Sequence, residues 1–402
     1  MGIRLVVVDD NPHVSWEGRT YPVNATFQRF VASLLDLPGS PVASITSCVP
    51  VRVFAPGDGT ISPATLPLDP RIRVVATTPF DGIEGYLRHL PAMLRANRRI
   101  LRAALADADL VWIKVPASNA PLAGWLARAA GVPRFGYVAG SALQVASGQD
   151  RSAVAMAGAR AVGLAYDLAG RLASAGGDRL VIGDDLDGAG VVSSLVEPNE
   201  ILDVRRSPWP GEAGRLRLAW AGRLASGKGL ETLLQAVAGL TDALPDGPKV
   251  ELDLIGDGPA RERLVNLAQE LGIADQVHWH GYVAARGPYL AALARADLFV
   301  FPSPAEGFPK VVLDAFAVGV PVITTPSGSL AGLGDGRVEF VAPGQPAVLT
   351  AAIGRLVADP GRAGELRAAG TTFAAAHTRD AEAARLVARW RARFPALPFD
   401  PG

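Results

Sequence analysis

The stretch richest in chemically useful groups runs Leu298-Phe-Val-Phe-Pro-Ser-Pro-Ala-Glu-Gly-Phe-Pro-Lys-Val-Val-Leu-Asp-Ala-Phe-Ala-Val-Gly-Val-Pro-Val-Ile323. An apolar run of strand length ends at Phe301, and a Pro-rich loop then carries Glu306 and Gly307 into a helix. Gly307 permits close backbone approach, and Pro309 suits the first helical position. The free N–H groups expected within 308–311, on Phe308, Lys310 and Val311, make an anion site at the end of the strand. Asp314 follows on the helix, so one carboxylate lies in the loop and a second about one turn along. Such a pair suits hydroxyls at two places on one extended ligand. Glu306 also fits a helix-capping partner, and Asp314 a plain charged helix residue.

A second segment, Leu218-Ala-Trp-Ala-Gly222-Arg223-Leu-Ala-Ser-Gly-Lys228-Gly229-Leu230, again reads as strand, glycine loop and helix. The Arg223 guanidinium makes paired bonds to phosphate oxygens, and Lys228 adds a point charge. Two cations facing a helix N-terminus suit a diphosphate that leaves with growing negative charge. Taken as plain surface charges, the same residues would leave the glycine-bounded loop without a purpose.

The elements that must position these groups alternate along the chain. Strands are expected at Ile3–Val8, Val51–Phe54, Ile72–Val75, Leu110–Ile113, Phe135–Val138 and Leu180–Ile182, with helices near 25–37, 85–106, 121–130 and 152–175. A second series follows, with strands at Leu216–Ala221, Val250–Ile255, Val277–Trp279, Leu298–Phe301, Pro321–Thr324 and Val338–Val341 and helices near 230–240, 260–271, 288–295 and 311–318. Unbroken apolar strands alternating with helices predict parallel sheets covered on both faces. The fold class is therefore α/β, with two doubly wound domains facing across a cleft and ligands at the carboxyl ends of the strands. The break falls in the Pro- and Gly-rich segment 197–214, giving domains 1–197 and 198–378. An amphipathic helix in 379–402 is a candidate to return to the first domain.

Composition narrows the function classes. Hydrophobic residues make up 49% of the 402 and charged ones 19%, enough to bury two cores. Lys+Arg and Asp+Glu both number 39, so no net field favours nucleic acid. Cys48 stands alone, which excludes an intrachain disulfide and fits a reducing cytoplasm. The first ten residues read as a buried strand rather than a signal peptide, and prolines and glycines interrupt the longest uncharged stretch, 315–334. His278 and His280 share one face of a strand, but no neighbouring acid or Cys in sequence makes them metal ligands. The stretch 85–106 carries Arg88, His89, Arg95, Arg98, Arg99 and Arg102 on an amphipathic helix. It is either a solvated rim or a face that lies on an anionic membrane.

With these motifs in view, the chain resembles the retaining family 4 glycosyltransferases of GT-B architecture. Their hallmarks are a G-R-L-x-x-x-K-G loop and an E-G-F-x5-E/D-A segment. Asp253-Leu-Ile-Gly256-Asp-Gly-Pro259 and His280-Gly281-Tyr282-Val283 keep the family's order and spacing, so the resemblance is specific over 216–325. It implies Gly222, Arg223 and Lys228 around the donor diphosphate, with Gly256 beside them. It places Glu306 on sugar hydroxyls, with Gly307, Phe308, Pro309 and Lys310 nearby in the donor site. Asp314 would take the ribose, and Gly281, Tyr282 and Val283 the base. Glu306, Arg223 and Lys228 would be the catalytic set. A nucleoside diphosphate sugar would be co-substrate, with no cofactor and no metal.

The first half departs from the pattern. Where many relatives have a Gly-Gly loop after the first strand, this chain has Asp9-Asp-Asn-Pro-His13-Val-Ser-Trp16-Glu17-Gly18-Arg19-Thr-Tyr21. Lys114 stands near the place of a family His. His13, Trp16, Glu17, Arg19 and Tyr21, on a loop Pro12–Asn24, and Lys114 are thus the acceptor candidates. Sugar epimerases, phosphorylases and a non-catalytic sugar-nucleotide binder share the architecture and remain alternatives.

Overall fold

The computed structural model describes residues 2–399 except 24, 54–66, 81–87, 140–162, 166, 174, 183–190, 193, 203–213, 244–246 and 335. Much of the expected linker 197–214 and of the helix 152–175, and the start of the basic stretch 85–106, lie outside the described residues.

The first sheet contains β1 (Ile3–Val8), β4 (Val42–Val53), β5 (Ile72–Thr77), β6 (Leu110–Val115), β7 (Arg134–Val138) and β8 (Asp178–Val181). They run parallel in the order β5-β4-β1-β6-β7-β8. The second contains β9 (Arg215–Ala221), β10 (Lys249–Ile255), β11 (Val277–Gly281), β12 (Leu298–Phe301), β13 (Val322–Thr324) and β14 (Glu339–Phe340). Its order is β11-β10-β9-β12-β13-β14, again parallel. Each sheet grows one way from its first strand and then the other. The order therefore reverses between β1 and β6 and between β9 and β12, the doubly wound pattern that opens a crevice at the carboxyl edge.

Helices α1 (Ala25–Ala32), α2 (Leu90–Leu105) and α3 (Ala120–Ala129) serve the first sheet. Helices α4 (Leu230–Ala243), α5 (Arg261–Glu270), α6 (Arg286–Ala294) and α7 (Lys310–Ala317) serve the second, followed by α8 (Pro346–Ala358) and α9 (Pro360–Ala376). The last helix, α10 (Arg379–Arg393), crosses back to the first sheet. Its buried Trp390 meets Trp112 and Phe135 at centroid distances of 5.7 and 5.6 Å, both edge-on. Arg389 grips Asp178 at 2.8 Å, and Glu382 accepts the N–H of Val192 at 2.7 Å. The two chain crossings are bonded where they pass, Arg379 donating to the Val196 carbonyl at 2.7 Å and to Glu197 at 3.0 Å.

Two expectations need correction. The segment 12–24 is not an open loop. β2 (His13–Trp16) and β3 (Arg19–Pro22) form an antiparallel hairpin, and β2 pairs parallel to the end of β4. Its turn is Glu17-Gly18, with φ of 48° and 74°, the positive pair that two-residue hairpins require. A Glu in the first position hid that signal. Second, β4 starts nine residues before the expected Val51. Ser, Thr and Pro50 interrupt its apolar pattern, yet Pro50 still pairs with Thr77.

On α2, Met93, Asn97, Leu101 and Leu105 face inward, and Arg88, Arg95, Arg98, Arg99 and Arg102 are exposed on or just before the helix. Arg98 stacks 5.5 Å above Trp125 of α3, itself 54% exposed. Leu164, Leu168 and Leu172 are exposed, while Gly170 and Ala173 of the same helical stretch approach Val115 and Gly124. No helix among the described residues is long and apolar enough to cross a membrane.

Trp390 fastens the returning helix. Trp390→Ala should cost about 3–5 kcal/mol through the cavity it leaves. Urea denaturation should show a lower midpoint, and limited proteolysis faster cleavage near 379. An unchanged midpoint would contradict the packing described.

Candidate functional site

At the reversal of the second sheet, the loop after β9 meets the loop after β12. Lys228 Nζ lies 2.7 Å from Glu306 Oε1, and the Ser303 hydroxyl donates to the same oxygen at 2.7 Å. Glycine makes this approach feasible. A Cβ on Gly229 (φ +71°) would stand 2.1 Å from the Pro302 carbonyl, and one on Gly328 (φ +57°) 2.0 Å from that of Glu306. Thr325 and Ser327 brace the loop from behind by donating to the Ser303 carbonyl, and Ser329 does so to that of Gly307. Glu306 thus sits before the open N-terminus of α7, where unpaired N–H groups favour an anion. Arg223 is exposed at the same rim. Pro309 is the residue before the helix rather than its first, a one-residue shift.

Asp314, one turn into α7, is not open. Only 6% exposed, it meets Arg286 Nη1 at 2.7 Å through Oδ1 and accepts from the Tyr289 hydroxyl at 3.1 Å through Oδ2. Burial pushes its carboxyl up against the pull of Arg286 and Tyr289. Arg286 is itself held at its other edge by Glu200, at 2.9 and 2.7 Å. Breaking such a pair by removing one partner costs about 3–5 kcal/mol.

The first sheet repeats the device. At its reversal, Lys114 Nζ of β6 lies 2.9 Å from Asp9, just after β1, and 4.5 Å over the Phe27 ring. Asp10 accepts from the Ser118 N–H, and burial raises its carboxyl to about 6. Asp9 Oδ2, Asp10 Oδ1, His13 Nε2 and Asn119 Nδ2 are buried without a protein partner. His13 is 1% exposed, its Nδ1 bonded to the Asn11 carbonyl at 2.8 Å, and burial lowers its basicity. Trp16 and Tyr21 are half-buried on the hairpin, and Glu17 and Arg19 are exposed at its tip.

Between the two sheets lies a cavity of about 200 Å³ lined by Asn11, Lys114 and Tyr137 on one side and Phe308 and Lys310 on the other. Burial lowers Lys310 to about 7, aided by repulsion from Lys114 and opposed by Asp314 and Asp9.

The structure therefore gathers Lys228, Glu306, Gly307, Phe308, Pro309 and Lys310 around one loop, with Arg223 and Gly222 beside it. Gly256 and Gly281 form a bridge linking the ends of β10 and β11. Tyr282 is 71% exposed, and Val283 packs on the core. His278 and His280 do have acidic neighbours, contrary to expectation. Parallel pairing with β10 places His280 2.5 Å from Asp253 and His278 4.0 Å from Glu251, partners 27 residues away. Sequence reasoning missed Asp9, Asp10, Asn119, Ser303, Arg286 and Tyr289. Only the two Asp residues gave a signal, standing directly after the first strand.

Lys310 gives a pH test. Its folded value lies below the free lysine value of 10.5, so the unfolded chain binds more protons between 7 and 10.5 and stability rises with pH there. The raised Asp10 acts only below about 6. Thermal denaturation from pH 7 to pH 8, below the range in which the free value of the buried Cys48 thiol would enter, should show a rising midpoint that becomes flat in Lys310→Met. A slope that persists in the variant would exclude Lys310 as its source.

Residues 215–359 match the family described as Glycosyl transferases group 1. Among curated relatives, the chain is 34% identical over 137 residues to the lipopolysaccharide core biosynthesis glycosyltransferase LpsE of Rhizobium meliloti, covering 34% of this chain and 37% of that one. The chain spans less than half the length of the curated relatives it matches. Sucrose-phosphate synthase from Thermosynechococcus elongatus superposes with a TM-score of 0.69 at 20% identity, over 98% of this chain and 100% of that one. Anabaena HepE in complex with UDP-glucose does so at 0.59 and 17% identity, over 96% and 100%. The chain has the two-sheet GT-B fold of glycosyltransferases, and its second sheet lies in a stretch that matches their group 1 family.

Proposed function

We propose that the chain transfers a hexose-type sugar from a nucleoside diphosphate sugar to a hydroxyl acceptor, keeping the anomeric configuration and needing no metal. The observation that carries this reading is the Lys228–Glu306 pair set before the N-terminus of α7, with Arg223 at the rim. Lys228 and Arg223 hold the diphosphate, and the N–H groups of α7 take further phosphate charge. Glu306, a hydrogen-bond acceptor only when ionised, orients the sugar hydroxyls. The bond from the anomeric carbon to the phosphate oxygen breaks as the acceptor oxygen bonds to the same face. The acceptor proton passes to the departing phosphate, whose charge the two cations stabilise. Gly256 and Gly281–Val283 border the base. HepE, whose structure holds UDP-glucose, supports a nucleotide-sugar donor for this fold.

The acceptor faces the first sheet. The buried polar atoms of Asp9, Asp10, His13 and Asn119 that lack a protein partner, with Lys114, supply hydroxyl partners there, and Trp16, Glu17, Arg19 and Tyr21 form the outer rim. Closing the cleft on both substrates excludes the water that would hydrolyse the donor.

A lipid-linked acceptor is the favoured class, and the arginines of α2, Trp125 and Leu164, Leu168 and Leu172 form the face that meets an anionic membrane. Flotation should carry the protein with phosphatidylglycerol vesicles at low salt and not with phosphatidylcholine. A triple Arg98→Glu, Arg99→Glu, Arg102→Glu variant should remain at the bottom. Failure of the unaltered protein to float would remove the membrane from the proposal.

The donor site is tested by thermal shift with UDP, GDP, ADP, dTDP and CDP. One nucleotide should raise the melting temperature, and Arg223→Ala and Lys228→Ala should abolish the shift. With the matching sugar nucleotide, Glu306→Gln should lower kcat by about 10²–10³-fold, while the nucleotide Kd changes little. Sugar converted without any acceptor would point to an epimerase, and full activity in Glu306→Gln would refute its role.

A further inference from the structure

The amino edge of the first sheet carries a basic cavity that sugar transfer does not use. Arg134 opens β7 and Asp178 opens β8, so both stand a strand's length from the crevice at the carboxyl ends. Between these strand starts, the last turn of α3 and the end of α10 lies a cavity of about 410 Å³. Its lining includes Arg128, Arg134, Gly176, Gly177, Asp178 and Arg393. The charges there do not balance. Asp178 is gripped by Arg389 at 2.8 Å and by Arg393 at 3.3 Å, so one carboxylate already serves two guanidiniums. Among the described residues, neither Arg128 nor Arg134 has an ion pair. Arg134 is only 8% exposed, a depth at which arginine is ordinarily paired. Its Nη1 and Nη2 donate to the carbonyls of Gly124 and Ala175 at 3.3 and 2.6 Å, while its buried Nε has no partner. Burial, and then repulsion from Arg128, hold this guanidinium below its usual value. Gly176 (φ +75°) keeps side-chain atoms away from it, since a Cβ there would stand 3.1 Å from Nη2. Four guanidiniums against one carboxylate leave three positive charges in excess. The carbonyl ends of α3, α10 and the helical stretch before Ala175 offset about half of that.

We infer that this cavity binds a phosphate monoester, held by Arg128, Arg134 and Arg393, and that the bound group clamps α10 to the first sheet on the side away from the crevice. Guanidiniums match phosphate oxygens through parallel bonds, and the doubly charged monoester answers an excess that a single carboxylate would not. The cavity volume suits a small phosphorylated molecule. The same group also arrives on a lipid headgroup. Trp125 and Leu172, exposed about one turn before Arg128 and Gly176, would then lie beside the acyl chains. The inference stands apart from the nucleotide-sugar reading and holds whatever the donor.

The test is calorimetric titration of the full chain with glycerol 3-phosphate and with dihexanoyl phosphatidic acid, which share the monoester and differ in their acyl chains. It is run at constant ionic strength on the Arg223→Ala, Lys228→Ala double variant, so that the crevice does not compete for phosphate. One molecule should bind per chain. Adding Arg128→Gln and Arg393→Gln, both at exposed positions, should weaken binding about tenfold or more, the worth of hydrogen bonds to a charged group. Arg134→Met should do the same, and the exposed pair serves should that variant fail to fold. The ligand should also raise Tm and slow proteolysis near 379, and both effects should vanish with the added substitutions. Tighter binding of the lipid assigns the phosphate to a headgroup, and equal or weaker binding assigns it to a soluble molecule. Binding unchanged by Arg128→Gln with Arg393→Gln would overturn the inference, as would failure of both probes to bind at millimolar concentration.

Discussion

A parallel sheet wound in both directions must reverse its strand order once, and at that place neighbouring loops leave toward opposite faces and open a crevice. This chain has two such reversals, between β1 and β6 and between β9 and β12. Each is closed at its base by one lysine and one carboxylate drawn from the two loops or strand ends that part there. Asp9 with Lys114 closes the first, and Lys228 with Glu306 the second. In each pair the carboxylate is the more buried member, Asp9 at 2% and Glu306 at 12% side-chain exposure against 21% and 31% for the lysines. Each pair holds charged groups at the strand ends, where its crevice opens.

The rest of the structure follows from keeping the two crevices opposed. The chain crosses between the sheets twice, near 197 and near 379, and Arg379 ties the crossings together through Glu197. The second crossing delivers α10 to the first sheet, where Trp390 enters the cluster of Trp112 and Phe135. The last helix in sequence thereby becomes part of the first core. The N-terminal sheet is covered by helices of which one is contributed from beyond the second sheet. Lys114 and Lys310 then face the same cavity from opposite sides, and their mutual repulsion helps depress Lys310 toward neutrality.

How much of this was written locally in the sequence differs by element. The strands that end in motifs, such as Leu298–Phe301 before Glu306, are short unbroken apolar runs and were legible to within a residue or two. β4 was not, because Ser44, Thr46, Ser47 and Pro50 break its pattern and its stability comes from pairing on both sides with β1 and β5. The hairpin at 13–22 was missed because its turn uses Glu17 where Asn or Asp is the usual signal. In the candidate site, residue types and loop order were readable, and the partners were not. His280 and Asp253 are 27 residues apart and meet only through the register of β10 and β11.

Asp314 shows why that last gap matters for function. A motif specifies which side chain stands at a position and about where its Cα lies, since both follow from local strand–loop–helix geometry. Whether that side chain is available to a ligand depends on what else reaches it, and such neighbours arrive from distant segments with no fixed spacing. Arg286 lies 28 residues before Asp314, and Glu200 a further 86 before Arg286, across the chain crossing. The same distinction separates the two carboxylates of the second sheet. Glu306 is held by Lys228 and Ser303 through a single oxygen, so its second oxygen remains to be used. Asp314 is buried and makes one bond through each oxygen, to Arg286 and to Tyr289. The two acids of one motif are thus held by their partners in different surroundings. One stands before the N-terminus of α7, and the other joins α7 through Arg286 to the segment where the chain crosses between sheets.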